Sequence, residues 1–350
     1  MTIHQLLELT VVKESSDLHL VVGFPPQLRI NGELYPIPGT EPISSAEIIS
    51  LLDPVMTKAQ KDLYLTDLEL DFSFELPNKS RFRVNAYFQK GQPAAAFRAI
   101  HFNIRSLEEL GFPAVVSKLA DLRQGFILIT GPTGHGKSTT LAAFINQINF
   151  QRADHIITIE DPIEFVYPKG KSLISQREMY KDTKSWPRAL RSTLREDPDV
   201  VLVGEMRDLE TISSAMTISE TGHLVFATLH TNSAAQSIDR VVDVFPENQQ
   251  QQIRLQLAST LEAILSLRLI PTITPGRVLA LELLFSNPAV RSIIREQKTY
   301  EIDNLIQTSA EMGMTTLENS LALLIREGKI SREVALRYAL RPELLNKLLR

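Results

Sequence analysis

Residues 131–138 read Gly131-Pro132-Thr133-Gly134-His135-Gly136-Lys137-Ser138, the full G-x-x-x-x-G-K-[ST] spacing of a phosphate-binding loop. The chemistry requires these residue types. Glycines let successive backbone N–H groups turn toward one anion, and the N-terminus of a following helix adds partial positive charge. Lys137 supplies a full charge to the β- and γ-phosphates, and the Ser138 hydroxyl is a ligand for Mg2+. The surroundings agree: an apolar strand, Phe126–Thr130, precedes the loop, and a helical run from Thr139 to Asn146 follows it. His135 is an unusual occupant. It reads either as an outward side chain or as a base-tuned phosphate contact.

Hydrolysis of a nucleotide also needs carboxylates for the metal and for the attacking water. Glu160, Asp161 and Glu164 end or follow one apolar run, and Glu205 follows another, Val200–Val203. The latter is an apolar strand closed by Glu rather than Asp. His223 and His230 stand at opposite ends of Leu224–Leu229. A parallel sheet gathers its ligands at the carboxyl ends of its strands. Lys137, Glu160, Glu164, Glu205 and His230 all fall at or beyond such ends, so their joint placement predicts one site. A zinc centre is disfavoured, because there is no Cys and no second cluster at ligand spacing. His223 reads as a γ-phosphate sensor or, after Gly222, as a contact to the end of the preceding helix.

The elements that must position these groups have distinct patterns. Phe126–Thr130, Ile156–Glu160, Val200–Val203 and Leu224–Leu229 are apolar without alternation, as strands buried on both faces read. They alternate with helical segments from 124 to about 285. The first 100 residues read as a small mixed α/β domain. Leu18–Val22 is a strand, and Asn31-Gly32 marks a hairpin between Leu28–Ile30 and Glu33–Tyr35. Ser44 and Glu47 form a capping box. Phe72–Leu76, Arg81–Gln89 and Ala94–Ile100 are further strands. In Arg81–Gln89, Phe82, Val84, Ala86 and Phe88 face one way, leaving Arg81, Arg83, Asn85 and Tyr87 as a basic face. A linker with a short helix is expected over 101–120, capped by Ser106 and Glu109 and ended by Gly111 and Pro113. The last 65 residues read as helical, with Thr315 and Glu318 as another capping box.

Composition bounds the rest. A chain of 350 residues predicts about two to three domains. The 37 basic and 41 acidic residues leave a formal charge of −4, which argues against a protein that binds nucleic acid through bulk charge. Hydrophobic residues make up 43%, enough for a sizeable core. The absence of Cys excludes disulfides. The apolar runs are strand-length, and Met1–Lys13 lacks a basic start before an apolar stretch. The expectation is a soluble cytoplasmic protein with no spanning helix.

Taken in order, four segments resemble the boxes of the type II/IV secretion ATPase family. They are Gly131–Thr139 (Walker A), Ile157–Glu164 (Asp box), Asp197–Asp208 (Walker B) and Thr221–Thr231 (His box). Ser16–Leu20 with Gly23–Asn31, and Arg81–Phe88, resemble the family's N-terminal PAS-like domain. Ala289–Glu296 resembles a segment of its pilus-retraction branch, with Val290, Ser292 and Ile293 departing from the usual residues. The assembly motors are longer and usually carry a tetracysteine insert, so this chain is similar to the retraction branch.

The resemblance implies an α/β protein: a PAS-like α+β domain over 1–100, a linker over 101–115, a RecA-like P-loop ATPase domain over 116–285 and a helical segment over 286–350. It implies ATP and Mg2+ as cofactors, Glu164 as general base and Glu205 as metal group acting through water, with the two roles exchangeable. His223 and His230 become γ-phosphate sensors, and Arg81, Arg83 and Arg98 candidate arginine fingers. It further implies a homo-hexamer working on a pilus platform protein at the cytoplasmic face of the inner membrane, powering pilus retraction and twitching motility. Alternatives are an accessory or assembly-type motor of the same family, or a nucleic-acid translocase on a RecA-like core.

Overall fold

The computed structural model describes every residue except 31, 77–79 and 101–103. The chain divides into two units, Met1–Asn103 and Ile104–Arg350. In the first, six strands form an antiparallel sheet: β1 (Asp17–Val21), β2 (Gln27–Ile30), β3 (Glu33–Pro36), β4 (Glu69–Leu76), β5 (Ser80–Gln89) and β6 (Gln92–Ile100), ordered β3-β2-β1-β6-β5-β4. The expected strands are all present. The hairpin forms with Ile30 opposite Glu33, although Asn31 of its expected turn lies outside the described residues. The Ser44–Glu47 capping box closes as expected, with the Ser44 N–H donating to Glu47 Oε2 at 2.7 Å.

The alternation in β5 is only half realised as a basic face. Phe82, Val84 and Ala86 are fully buried. Arg83 is exposed, but Arg81 is buried and its Nη2 donates to Ser73 Oγ on β4 at 2.9 Å. Strand period decides which face a side chain takes and not what covers that face, so Arg81 leaves the expected exposed set.

The second unit holds a seven-stranded sheet: β7 (Gly125–Thr130), β8 (His155–Glu160), β9 (Leu173–Glu178), β10 (Val200–Val203), β11 (Leu224–Leu229), β12 (Leu261–Pro271) and β13 (Arg277–Phe285). The order is β13-β12-β7-β11-β10-β8-β9, parallel throughout except for the β12–β13 hairpin. Successive residues of the central strands enter different cores. Phe126, Leu128, Val201, Val203, Val225 and Ala227 pack on one side, and Ile127, Ile129, Val200, Leu202, Leu224 and Phe226 on the other. All are at most 2% exposed, and each large apolar side chain so buried contributes up to about 1.5–3 kcal/mol. This two-sided burial is why no alternation is visible in their sequence.

Three local expectations change. Residues 101–103 of the expected linker lie outside the described set, while Leu107 and Phe112 are buried in the second unit's core. Ser106 and Glu109 do exchange both capping bonds, at 2.7 and 3.2 Å. A turn follows rather than a helix, because Gly111 sits at φ 85° and Pro113 stands two residues on. The short helix is Ala114–Ser117. The cap of helix Leu317–Arg326 is Thr316, bonded to the Asn319 N–H, and not Thr315. Thr315 is tied by both backbone groups to Leu283, and Glu318 turns inward.

Glu318 turns inward to meet Arg341. The guanidinium lies 2.9 Å from Glu318, 2.5 Å from Asp303 and 3.7 Å from Glu282. Glu318 and Glu282 are buried, and burial raises Glu282 to about 7. Removing one partner of a buried charge set leaves the others uncompensated. Arg341→Ala is therefore expected to lower stability by about 3–5 kcal/mol, read as a fall in the denaturant midpoint. A change within about 0.5 kcal/mol would match an ordinary surface residue instead. The segment Ala289–Glu296 lies in and just after helix Pro288–Arg295, which buries Val290, Ile293 and Ile294 on the core. Among the described residues, no helix is long and apolar enough to cross a membrane.

Candidate functional site

The phosphate loop joins β7 to helix Lys137–Gln151 at the carboxyl end of the sheet. Gly131, Gly134 and Gly136 take φ of 139°, 77° and 91°, values that a residue with Cβ adopts only under strain. At Gly131 the constraint is also one of space, since a Cβ there would stand 2.5 Å from the Leu267 carbonyl oxygen. Pro132 and Thr133 carry the chain over the top of the loop. Gly136 is the cap position of the helix and, without a side chain, makes no cap bond to its first N–H groups, an arrangement that suits an anion. Lys137, Ser138 and Thr139 form the first helical turn. Lys137 is buried, and its Nζ donates to the Gly131 and Pro132 carbonyls at 2.8 and 3.0 Å. Burial lowers its pKa, and the nearby Glu205 and Glu164 carboxylates act in the opposite sense.

A chain of polar contacts links the end of β10 to this loop. Arg207 Nη2 donates to Glu205 Oε2 at 2.8 Å. Glu205 Oε1 stands 3.2 Å from His230 Nε2, and His230 Nδ1 stands 3.4 Å from Thr133 Oγ1. Burial pushes the Glu205 pKa up, but the bonds from Arg207 and His230 outweigh it and hold the group below its ordinary value. Glu205 is thus an acceptor. His230 Nε2 must then donate to it, and in the neutral ring Nδ1 is the acceptor for the Thr133 hydroxyl. Thr228 fixes the same corner, its hydroxyl donating to the Gly204 carbonyl. Arg207 was not among the sequence candidates; its place two residues beyond Glu205 was the available signal.

Glu164 is exposed just past the end of β8. Its placement depends on Glu160, the last residue of β8, which the Glu164 backbone N–H meets. Glu160 is buried, and its Oε1 accepts from Thr158 at 2.6 Å and from Gln176 at 3.2 Å. Gln176 also donates to the Phe165 carbonyl. Burial raises Glu160 to about 7. Its carboxyl is committed to the frame of the turn that carries Glu164. Gln176 lies on β9 and was missed, because its strand is half exposed and lacks an apolar run.

His223 is not brought to the loop of its own chain. It precedes β11 at the opposite, amino end of the sheet, and its Nδ1 lies 2.9 Å from the Ile218 carbonyl at the end of helix Leu209–Glu220. The helix-terminus reading therefore fits this geometry, because six residues of strand separate it from His230. His135 is not simply outward: its Nδ1 accepts the Leu269 N–H at 2.9 Å.

The remaining candidates lie in the first unit. Arg83 on β5 is paired directly with Arg98 on β6. Arg98 Nε donates to Asp17 Oδ1 at 2.9 Å, and Arg83 lies 4.0 Å from Asp71. Like charges directly opposite each other on a sheet are destabilising unless offset. Here each arginine stands within 4.0 Å of an aspartate, which offsets the pair.

The residues suit the implied cofactors. The glycine loop, helix terminus and Lys137 match a nucleotide's phosphates. The Ser138 hydroxyl and the lowered Glu205 carboxylate match Mg2+, which usually takes one or two protein ligands together with phosphates and water. Among the described residues, no group of three or more His, Asp or Glu forms an all-protein metal cage.

The profile of the family described as "Type II/IV secretion system protein" matches residues 69–277. The chain is 47% identical over 343 residues to the type IV pilus retraction ATPase PilT of Pseudomonas aeruginosa, covering 98% of this chain and 99% of that one. It is 48% identical over 339 residues to a twitching motility protein of Neisseria gonorrhoeae, covering 97% and 90%. Its fold matches a crystal structure of the pilus retraction motor PilT with bound ADP, with a TM-score of 0.94, 43% identity and 99% coverage of both chains. With the loop, the acidic strand ends and the His230 contact already in place in the fold, this chain belongs to the type II/IV secretion system protein family.

Proposed function

We propose that this chain is a homo-hexameric ATPase motor that powers type IV pilus retraction, with ATP and Mg2+ at residues 131–138. The observation that carries the ATPase reading is the contact path Arg207–Glu205–His230–Thr133, which connects a metal-type carboxylate to the phosphate loop. Near-full-length similarity to a pilus retraction ATPase supports the cellular role.

In this reading, Ser138 and Glu205 would hold Mg2+, which would supply charge neutralisation at the phosphates when bound. Backbone N–H groups of Gly134–Ser138 and the Lys137 ammonium hold the phosphates. Glu164 orients water in line. Glu205 serves the metal through water, and His230 reports the γ-phosphate to Glu205. Arg83 and Arg98 supply positive charge to the transferring group of a neighbouring subunit. An arginine of this kind is worth about 10³–10⁵ in rate, and a closed ring gives every site a neighbour. His223 would then act only across a subunit boundary. The motor would sit peripherally on a platform protein at the inner membrane's cytoplasmic face.

The test combines assembly with complementation in trans. ATPase activity per chain should rise with protein concentration in step with oligomer mass. Arg83→Ala and Lys137→Ala are each expected to be inactive alone. Mixed in equal amounts, they should recover up to about a quarter of the sites, those in which an intact loop meets an intact arginine. No recovery in mixed rings would refute delivery in trans. Rescue of twitching in a retraction-deficient strain separates the retraction motor from an accessory or assembly-type one. Marked stimulation by DNA would instead favour a translocase.

A further inference from the structure

His135, at the loop's fifth position, has a partner that the proposed chemistry does not use. The Leu269 backbone N–H donates to His135 Nδ1 at 2.9 Å. A backbone N–H can only donate, so Nδ1 is the bare acceptor and the ring proton sits on Nε2. The donor is available because β12 outruns its neighbour: the last β7–β12 pair is Thr130 with Ser266. Beyond that point β12 has a free edge facing the phosphate loop. The loop meets this edge closely, with Gly131 against the Leu267 carbonyl and Gly136 against the Leu269 side chain. Burial lowers the His135 pKa, and Arg268, Arg277 and Lys137 lower it further, which agrees with an uncharged, accepting ring.

The same hairpin holds the other loop of the site. Arg268 Nη2 donates to Asn232 Oδ1 at 2.7 Å, two residues beyond His230. Arg277 on β13 donates to the Gly134 carbonyl at 3.3 Å. Adjacent residues 268 and 269 thus tether the His230 loop and the phosphate loop to one strand. A loop held in its binding shape loses less freedom when ligand arrives.

We propose that His135 is a positioning residue for nucleotide binding, whose Nδ1 ties the phosphate loop to the free edge of β12. The proposal rests on residues 131–138 being the nucleotide cradle. The experiment measures Mg·ATP affinity by calorimetry, with KM and kcat from phosphate release, on the full chain. His135→Phe keeps a ring and removes the acceptor; it should raise Kd and KM about fivefold to tenfold. Its kcat should stay within about twofold, because the tie acts on binding and not on the chemical step. His135→Asn places an acceptor near the former Nδ1 and should recover most of the affinity. Amide exchange in the peptide covering 261–271 should quicken in the Phe variant and slow again in the Asn variant. Unchanged affinity in His135→Phe, or an Asn variant as weak as the Phe one, would overturn the tie. If the Phe variant fails to fold, His135→Gln, with its acceptor displaced toward Nε2, is read instead; wild-type affinity there has the same consequence. Lys137→Ala is the separate control. Normal Mg·ATP binding by that variant would overturn the cradle itself, whatever His135 does.

Discussion

Lys137→Ala is expected to abolish measurable phosphate release, a loss of at least about 10²-fold, together with the heat of Mg·ATP binding. The reason is placement as much as charge. Lys137 is buried at the first position of its helix, and two carbonyls of the loop hold its Nζ over residues 131 and 132. Alanine removes the one full positive charge contributed by the loop and leaves only partial charges from N–H groups and the helix terminus. Burial disfavours the charged form here, which offsets what the two carbonyl bonds contribute to the fold, and thermal melting should be close to wild type. Loss of binding without loss of structure is the expected pair of results. A variant that still binds Mg·ATP at millimolar ligand would show that the phosphates lie elsewhere.

Glu164→Gln should separate binding from chemistry. Glutamine keeps size and polarity but cannot take a proton, and losing a general base lowers turnover by about 10²–10⁴. Glu164 is exposed and carries no structural bond comparable to that of Glu160, so ATP affinity should change little. Glu205→Gln tests the exchanged assignment. Glu205 accepts from both Arg207 and His230, and glutamine disturbs that path and the metal side of the site together. Its expected signature is a raised Mg2+ requirement as well as slower turnover. If Glu164→Gln turns over normally while Glu205→Gln binds ATP but does not hydrolyse it, the two roles are to be exchanged.

Much of this site was legible because its signals are local. The phosphate loop is one contiguous run whose backbone angles require glycine at Gly131, Gly134 and Gly136. The buried strands announce themselves because both faces of β7, β10 and β11 are covered, leaving no polar alternation. The topological rule that ligands gather at strand ends then placed Glu164, Glu205 and His230 near Lys137 without coordinates. Half-exposed strands were harder. β9 contributes Gln176 to the turn of Glu164, yet its sequence Leu173–Glu178 has no strong period.

Where a side chain's role depends on residues distant in sequence, patterns were silent. Glu160 and Glu164 lie four residues apart in one acidic turn, and only packing against Thr158 and Gln176 turns the first inward. Thr315 and Thr316 are equivalent as helix caps until the backbone of Thr315 is taken by Leu283, on an element 32 residues earlier. Arg81 and Arg83 share a face in β5, but Ser73 receives one of them.

The chain's residue types and spacing by themselves determined the phosphate loop, the α/β class and the carboxylates available to it, because those properties follow from backbone geometry and short-range periodicity. Tertiary structure alone decided which of these groups face one another: that His230 reaches Thr133, that His223 ends a helix at the far edge, and that β12 extends past β7 far enough to meet His135. The physical reason is that hydrogen bonding and burial are settled between strands and loops brought together from far along the chain, and one-dimensional spacing does not encode those distances.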